Sequence, residues 1–202
     1  KCPSWEEPYL TLCQLISMEF LRHHELSSSP VLNTYEKEQF SRLASGNGNT
    51  VDYQMSLHLL TLYLHKHYGI APIVIIDEYD TPIQQGHLHG FYDPVVGFMR
   101  NLFSGALKDN SHLSFGFLTG ILRVARESIF SGLNNLKVNS ILDERYSEYF
   151  GFTAGEVQEM AQYYDAAEKY QEICDWYDGY RFGQTDMFNP WSVISYFSNN
   201  CH

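Results

Sequence analysis

Ile73-Val74-Ile75-Ile76-Asp77-Glu78-Tyr79-Asp80 sets four β-branched apolar side chains directly in front of three carboxylates. An unbroken apolar run of this length, without polar alternation, is how a strand of a parallel sheet covered on both faces reads. The stretch "APIVIID" (71–77) therefore predicts such a strand. Charge at its tip needs a purpose, since a carboxylate beside a core is costly unless it is hydrated or partnered. Downstream, "HLSFGFLTGIL" (112–122) predicts a second strand. Between the two, "TPIQQGHLHGFY" reads as a loop, and Asp93 as N-cap with Pro94 at the first helical position predicts a helix from about 94 to 108. Helix, strand, helix, strand is the rhythm of an α/β protein with a parallel sheet and right-handed crossovers.

Toward the N-terminus, "SWEEPYLTLCQLISMEFLRHH" (4–24) has Ser4 and Glu7 at capping-box spacing, with Pro8 in the first turn. Asn33 is placed to cap a helix over "TYEKEQFSRLAS", which "GNGN" (46–49) ends. Thr50 then starts one long helix, "VDYQMSLHLLTLYLHKHYG", apolar nearly all round and stopped by Gly69. From about 124 the character changes. "RESIFSGLNN" reads as a short helix and turn, and "SILDERYSEYFGF" as an irregular or short-strand segment. Capping boxes at Thr153/Glu156 and Asp165/Glu168, then Asn189-Pro190, predict three further helices, the last running to about Ser198. The organisation expected is an α/β core over 1–123 and a helical C-terminal region over 124–202.

Composition limits the function. With 202 residues, 44% of them hydrophobic, the chain is long enough for one sizeable core and a small appendage. No apolar run approaches the roughly 20 residues that cross a bilayer, and "KCPSWEEPYL" lacks the layout of a signal peptide, so a cytoplasmic setting is expected. Cysteines at 2, 13, 174 and 201 form no C-x-x-C pair and read as free thiols. A net charge of −11 argues against these residues gripping a nucleic-acid backbone.

In open parallel sheets the chemistry sits at the carboxyl ends of the strands. An apolar strand ending in Asp-Glu matches the Walker B motif of P-loop ATPases, where the Asp holds Mg²⁺ and the Glu polarises the attacking water. Asp77 and Glu78 fill those places, although strands also end in acidic turns with no such role. Thr119, closing "FGFLTG", is expected beside Asp77, where P-loop ATPases place a polar residue on the γ-phosphate; Thr119-Gly120 as a plain polar turn is the alternative. Arg123 and Arg126 follow closely enough to approach a phosphate, or else to pair with Glu127 or the DEYD carboxylates. His65-x-His67 and His87-x-His89 lack the four-ligand spacing of a structural zinc site. No G-x-S-x-G elbow occurs.

The motifs "VIIDEYDTPI", "FLTGILRVARESIFSGLNNLKVNSILDERYSEYFGFTAGEV", "WYDGYRFG" and "FNPWSVISYF", in that order, resemble the AAA-ATPase-like family, from about residue 50 onward and more loosely before it. The resemblance implies an α/β fold with a partial P-loop NTPase-like parallel sheet, flanking helices and a C-terminal helical lid. It also implies ATP and Mg²⁺ as cofactors, Asp77 and Asp80 at the metal, Glu78 as the catalytic carboxylate, and Thr119, Arg123 and Arg126 toward the nucleotide. A nuclease-like domain commonly follows in such proteins. The phosphate loop G-x-x-x-x-G-K-[ST] is absent and no Gly-Lys dipeptide occurs, nor any E-x-K triplet. The expectation is therefore a chain that starts after its phosphate loop and stops before the nuclease, binding ATP weakly by itself. The function expected is an ATP-binding, ATP-hydrolysing regulatory domain of a larger protein. The alternatives are a nucleotide switch or interaction module with little or no hydrolysis and, less favoured, a metal-dependent nuclease on the DEYD cluster.

Overall fold

The computed structural model describes residues 4–121, 129–130 and 136–199. The chain divides into two compact units, 1–135 and 136–202. It is an α/β protein with a small parallel sheet in the first unit and a small antiparallel sheet in the second.

The first unit begins with α1 (Glu6–Arg22), whose N-cap is Trp5 with no side-chain cap bond, so the box expected from Ser4 and Glu7 does not form. Helix α2 (Thr34–Ala44) is capped by Asn33 as expected, and the cap is a full box: Asn33 accepts from the Glu36 amide and Glu36 accepts from the Asn33 amide, both at 3.0 Å. The single helix expected from Thr50 is two. Asn49 and Asp52 form a further capping box on α3 (Thr50–Gln54), and the chain steps at Met55 into α4 (Ser56–Tyr68). Gly69, at φ 70°, ends α4 in the left-handed conformation that L side chains avoid.

Strand β1 (Ile73–Ile76) pairs in parallel with β2 (Phe115–Leu118), Ile73 opposite Phe115 through Ile76 opposite Leu118. The segment 81–92 is largely helical rather than a loop: α5 (Thr81–His89) precedes α6 (Tyr92–Leu107), whose N-cap is Phe91 rather than Asp93. Helix α6 is the spine of the unit. Its buried face, including Val95, Phe98, Met99, Phe103 and Ala106, packs against α3, α4 and α5. Withdrawing one ring such as Phe103 from water contributes about 2–3 kcal/mol.

The strands depart from expectation in burial. Ile73 is 60%, Ile75 70% and Phe115 57% exposed, while their alternate neighbours are half-buried. The sheet is thus covered on one face only within the described residues, and its unbroken apolar run is not a sign of two covered faces.

The second unit is not wholly helical. Thr153 and Glu156 form the expected capping box on α7 (Ala154–Tyr163). Asp165, at φ 55°, caps nothing, and a 3-10 turn at residues 167–169 leads into α8 (Tyr170–Tyr177). The segment "WYDGYRFG", for which no strand was expected, contributes β4 (Asp178–Phe182), which pairs antiparallel with β5 (Thr185–Phe188). Gly183 at φ 56° makes the two-residue connection. A short β3 (Phe152–Thr153) joins the other edge of β5. Asn189 accepts from the Ser192 amide and starts α9 (Pro190–Ser198), as expected. Val157, Ala161, Ile173, Phe188 and Val193 form the core of this unit. No helix among the described residues is long and apolar enough to cross a membrane.

Candidate functional site at the carboxyl ends of the parallel strands

Parallel pairing puts the last residues of β1 and β2 at one edge, and the ladder continues past both strands. The Thr119 amide donates to the Ile76 carbonyl at 2.9 Å, and the Tyr79 amide donates to the Thr119 carbonyl at 3.0 Å. Asp77 and Thr119 are thereby held side by side, and the Thr119 hydroxyl donates to Asp77 Oδ1. The Glu78 amide is shared between Asp77 Oδ1 at 3.1 Å and Thr119 Oγ1 at 3.2 Å. One oxygen of Asp77 is fixed in this way. The other accepts nothing among the described residues, and the side chain is exposed.

Glu78 adopts φ 51°, a left-handed conformation costly for a residue with a Cβ. The turn is locked by the Thr81 amide, which donates to the Glu78 carbonyl at 3.0 Å. The Glu78 side chain is exposed, with Oε2 accepting a long bond from Thr81 Oγ1 at 3.4 Å.

Asp80 behaves differently. It is 1% exposed, accepts from Gln84 Nε2 at 2.8 Å, and stands at the N-terminal end of α5. Its Oδ1 lies where a Cβ on Gly120 would be, 2.6 Å away, and the Tyr79 ring is 2.8 Å from the same point. Gly120 is thus fixed by a close approach of the DEYD segment to the loop after β2. Tyr79 in turn packs edge-on against Phe130 at 5.3 Å and Phe103 at 6.4 Å, tying this segment to the core.

The structure brings together Asp77, Glu78 and Thr119, and sets Asp80 behind them. Arg123 and Arg126 lie outside the described residues, as does Glu127. The histidine pairs do not converge: His65 Nδ1 meets His112 Nδ1 at 3.0 Å, whereas His67 Nδ1 meets Ser29 Oγ at 2.8 Å. No group of three or more His, Cys, Asp or Glu side chains among the described residues is arranged to hold a metal. Cys13 and Cys174 are free thiols. Thr81, Gln84 and Gly120 are site residues that the sequence reading passed over. The signal for the first two was their spacing of three and four from Glu78 and Asp80 on a helix begun by Thr81-Pro82.

Comparison with known proteins gives three findings. An uncharacterised protein from the vnfD 5' region of Azotobacter chroococcum mcd 1 is 32% identical over 138 residues, 66% of this chain and 26% of that protein. The chain thus spans about a quarter of the length of that relative. No solved structure matches. Residues 11–130, which contain every element of the strand-end site, match the family model described as Predicted AAA-ATPase, and the chain belongs to that family.

Proposed function

We propose that the strand end is the metal-binding and water-activating half of an ATP-hydrolysing site, in a regulatory domain of a larger protein. The observation that carries this reading is the junction of Asp77, Glu78 and Thr119 at the carboxyl ends of two adjacent parallel strands. Mg²⁺ at such a place would supply charge neutralisation for the β- and γ-phosphate oxygens. Asp77 would hold it through the oxygen left open, while Thr119 and the Glu78 amide keep the other oxygen in place. Glu78 would orient a water and accept its proton. Asp80, buried on Gln84 and Gly120, is better suited to bracing the turn than to ligating metal. In this reading Arg123 and Arg126 approach the phosphates.

The G-x-x-x-x-G-K-[ST] loop does not occur in these 202 residues, so the phosphate-cradling amides and lysine are assigned to sequence outside them. The much greater length of the Azotobacter relative supports that assignment. The nucleotide state would then be passed to a neighbouring domain of the longer protein, for which the family resemblance suggests a nuclease-like one.

One observation favours the second reading, a nucleotide switch with slow turnover: Glu78 Oε2 is turned into its own loop toward Thr81. Steady-state ATP turnover by the intact protein decides between the two. On the hydrolase reading, Glu78→Gln lowers kcat by about 10²–10⁴-fold and leaves ATP affinity intact. Thr81→Val leaves the rate unchanged if that contact is incidental, and raises it if the contact restrains a switch. Unchanged turnover in Glu78→Gln removes Glu78 from the mechanism.

A further inference from the structure

A groove on the first unit shares no residue with the strand-end site. Its volume is about 540 Å³, within the range of small-molecule sites. Trp5 and Tyr9 on the α1 side and Phe98 of α6 form its wall, with ring centroids 5.6 to 6.2 Å apart. Phe98 is buried behind the other two, which are half-buried and present accessible ring surface. The Tyr9 hydroxyl donates to Thr50 Oγ1 at 3.0 Å, which fixes that ring. Glu6, Gln54 and Asn101 also line the groove, and none of the three makes a side-chain hydrogen bond or ion pair among the described residues.

The floor carries a second signal. Gly97 lies in the middle of α6, where glycine weakens a helix. At Gly86 of α5 the lack of a side chain is required, because a Cβ would stand 2.5 Å from Val95. At Gly97 a Cβ would meet nothing within 4 Å. Packing does not call for this glycine; its effect is to keep the groove deep.

We infer that the groove binds a small planar organic cation: an amidinium, a guanidinium or a protonated heteroaromatic ring. The Trp5 and Tyr9 planes are tilted 46° to each other, so the ligand's flat face lies on one ring and its edge meets the other, where the ring quadrupole attracts positive charge. Its charge meets the Glu6 carboxylate, and its N–H edges donate to the amide oxygens of Gln54 and Asn101. Among the described residues no Lys or Arg lines the groove. Anions, phosphate esters included, are therefore disfavoured, and the ligand is distinct from the nucleotide of the strand end.

The test is an NMR titration of the intact protein, following the Trp5 indole N–H, assigned with Trp5→Phe. The probes are benzamidinium, neutral benzamide and benzoate, which share one shape and differ in charge. Benzamidinium is expected to saturate the signal and to bind about tenfold or more tightly than benzamide, the cation–π contact contributing about two- to fivefold and the Glu6 charge the rest. Benzoate is expected not to bind. Glu6→Gln should cut the preference to the about two- to fivefold of the cation–π contact alone. Gly97→Leu should abolish binding while leaving the thermal unfolding midpoint at or above the wild-type value. Absence of saturation by benzamidinium, equal binding of all three probes, or a benzamidinium preference that Glu6→Gln leaves undiminished would each overturn the assignment, and the Glu6→Gln result stands even if Gly97→Leu fails to fold.

Discussion

Asp52, in the first turn of α3, and Asp77, one residue beyond β1, are both aspartates at the end of a secondary-structure element, yet the fold consumes one and leaves the other open. Asp52 is 7% exposed and accepts from Arg42 Nε and Nη2, both at 3.1 Å, and from the Asn49 amide at 3.0 Å. Burial alone would raise its pKa; the Arg42 and Asn49 hydrogen bonds outweigh that and hold it below the usual carboxylate value. Glu36 repeats the pattern. Burial pushes its pKa up, and bonds from Lys66 and the Asn33 amide bring it below the ordinary value. Asp77 has a hydroxyl and an amide on one oxygen and no ion pair among the described residues. A carboxylate that stabilises the fold is met by a base and closes a cap. Asp77 is held in position with one oxygen to spare, the feature on which the proposed metal role rests.

The strongest way to break this contrast is to delete each acid in turn. Asp52→Ala removes the Arg42 pair and half of a capping box, and should destabilise by about 2–3 kcal/mol in urea unfolding, discounted for the partly exposed arginine. Asp77→Ala should stay within about 0.5 kcal/mol, as a surface substitution does. Equal losses at the two positions would abolish the distinction.

A smaller effect tests the brace behind the site. Gly120→Ala places a Cβ 2.6 Å from Asp80 Oδ1 and 2.8 Å from Tyr79, and should cost about 1–2 kcal/mol by chemical denaturation. It should also slow ATP turnover by displacing Thr119. Unaltered stability would mean that the DEYD segment yields easily and positions nothing.

Acid sensitivity separates the same groups. Asp52 and Glu36 have folded pKa values below their unfolded values near 4, so their stabilisation is present above that pH and is lost as pH falls through the depressed folded values. Asp52→Asn should flatten that limb of the stability curve. His112 adds a step at higher pH. Desolvation, then the charges of His65, His58 and Lys66, lower its pKa, so stability falls as pH drops below about 6.5. His112→Gln should remove that step from the pH dependence of the unfolding midpoint.

The smallest effect concerns backbone strain. Glu78→Gly relieves the left-handed conformation at φ 51° and should raise stability by about 0.5–1 kcal/mol while removing the proposed base.

The parts of the fold that the sequence made legible are those governed by local chemistry. Asn33, Thr153 with Glu156, Asn189-Pro190 and Gly69 are short-range capping signals, and each falls where the spacing puts it. The parallel pairing of β1 and β2 was readable for a different reason: two apolar runs separated by a helix leave few other connections. What misled was tertiary. Gly86 makes "TPIQQGHLHGFY" look like a loop, whereas it is the point where α5 closes on Val95 of α6. "WYDGYRFGQTDMF" holds a hairpin whose two-residue connection, Gly183-Gln184, was a readable turn signal. At the site, Asp77, Glu78 and Thr119 could be placed from strand direction alone. The burial of Asp80 could not, because it depends on how near the loop after β2 approaches.

The most direct test of the central claim pairs two readings on one preparation of the intact protein carrying Asp77→Asn: the urea unfolding midpoint, and ATP turnover as a function of Mg²⁺ concentration. A carboxylate reserved for metal should leave the midpoint within about 0.5 kcal/mol of wild type and lower turnover by about 10²-fold or more, with partial recovery at high Mg²⁺. Wild-type turnover with an unshifted Mg²⁺ dependence, or a loss of activity accompanied by an equal loss of stability, would contradict it.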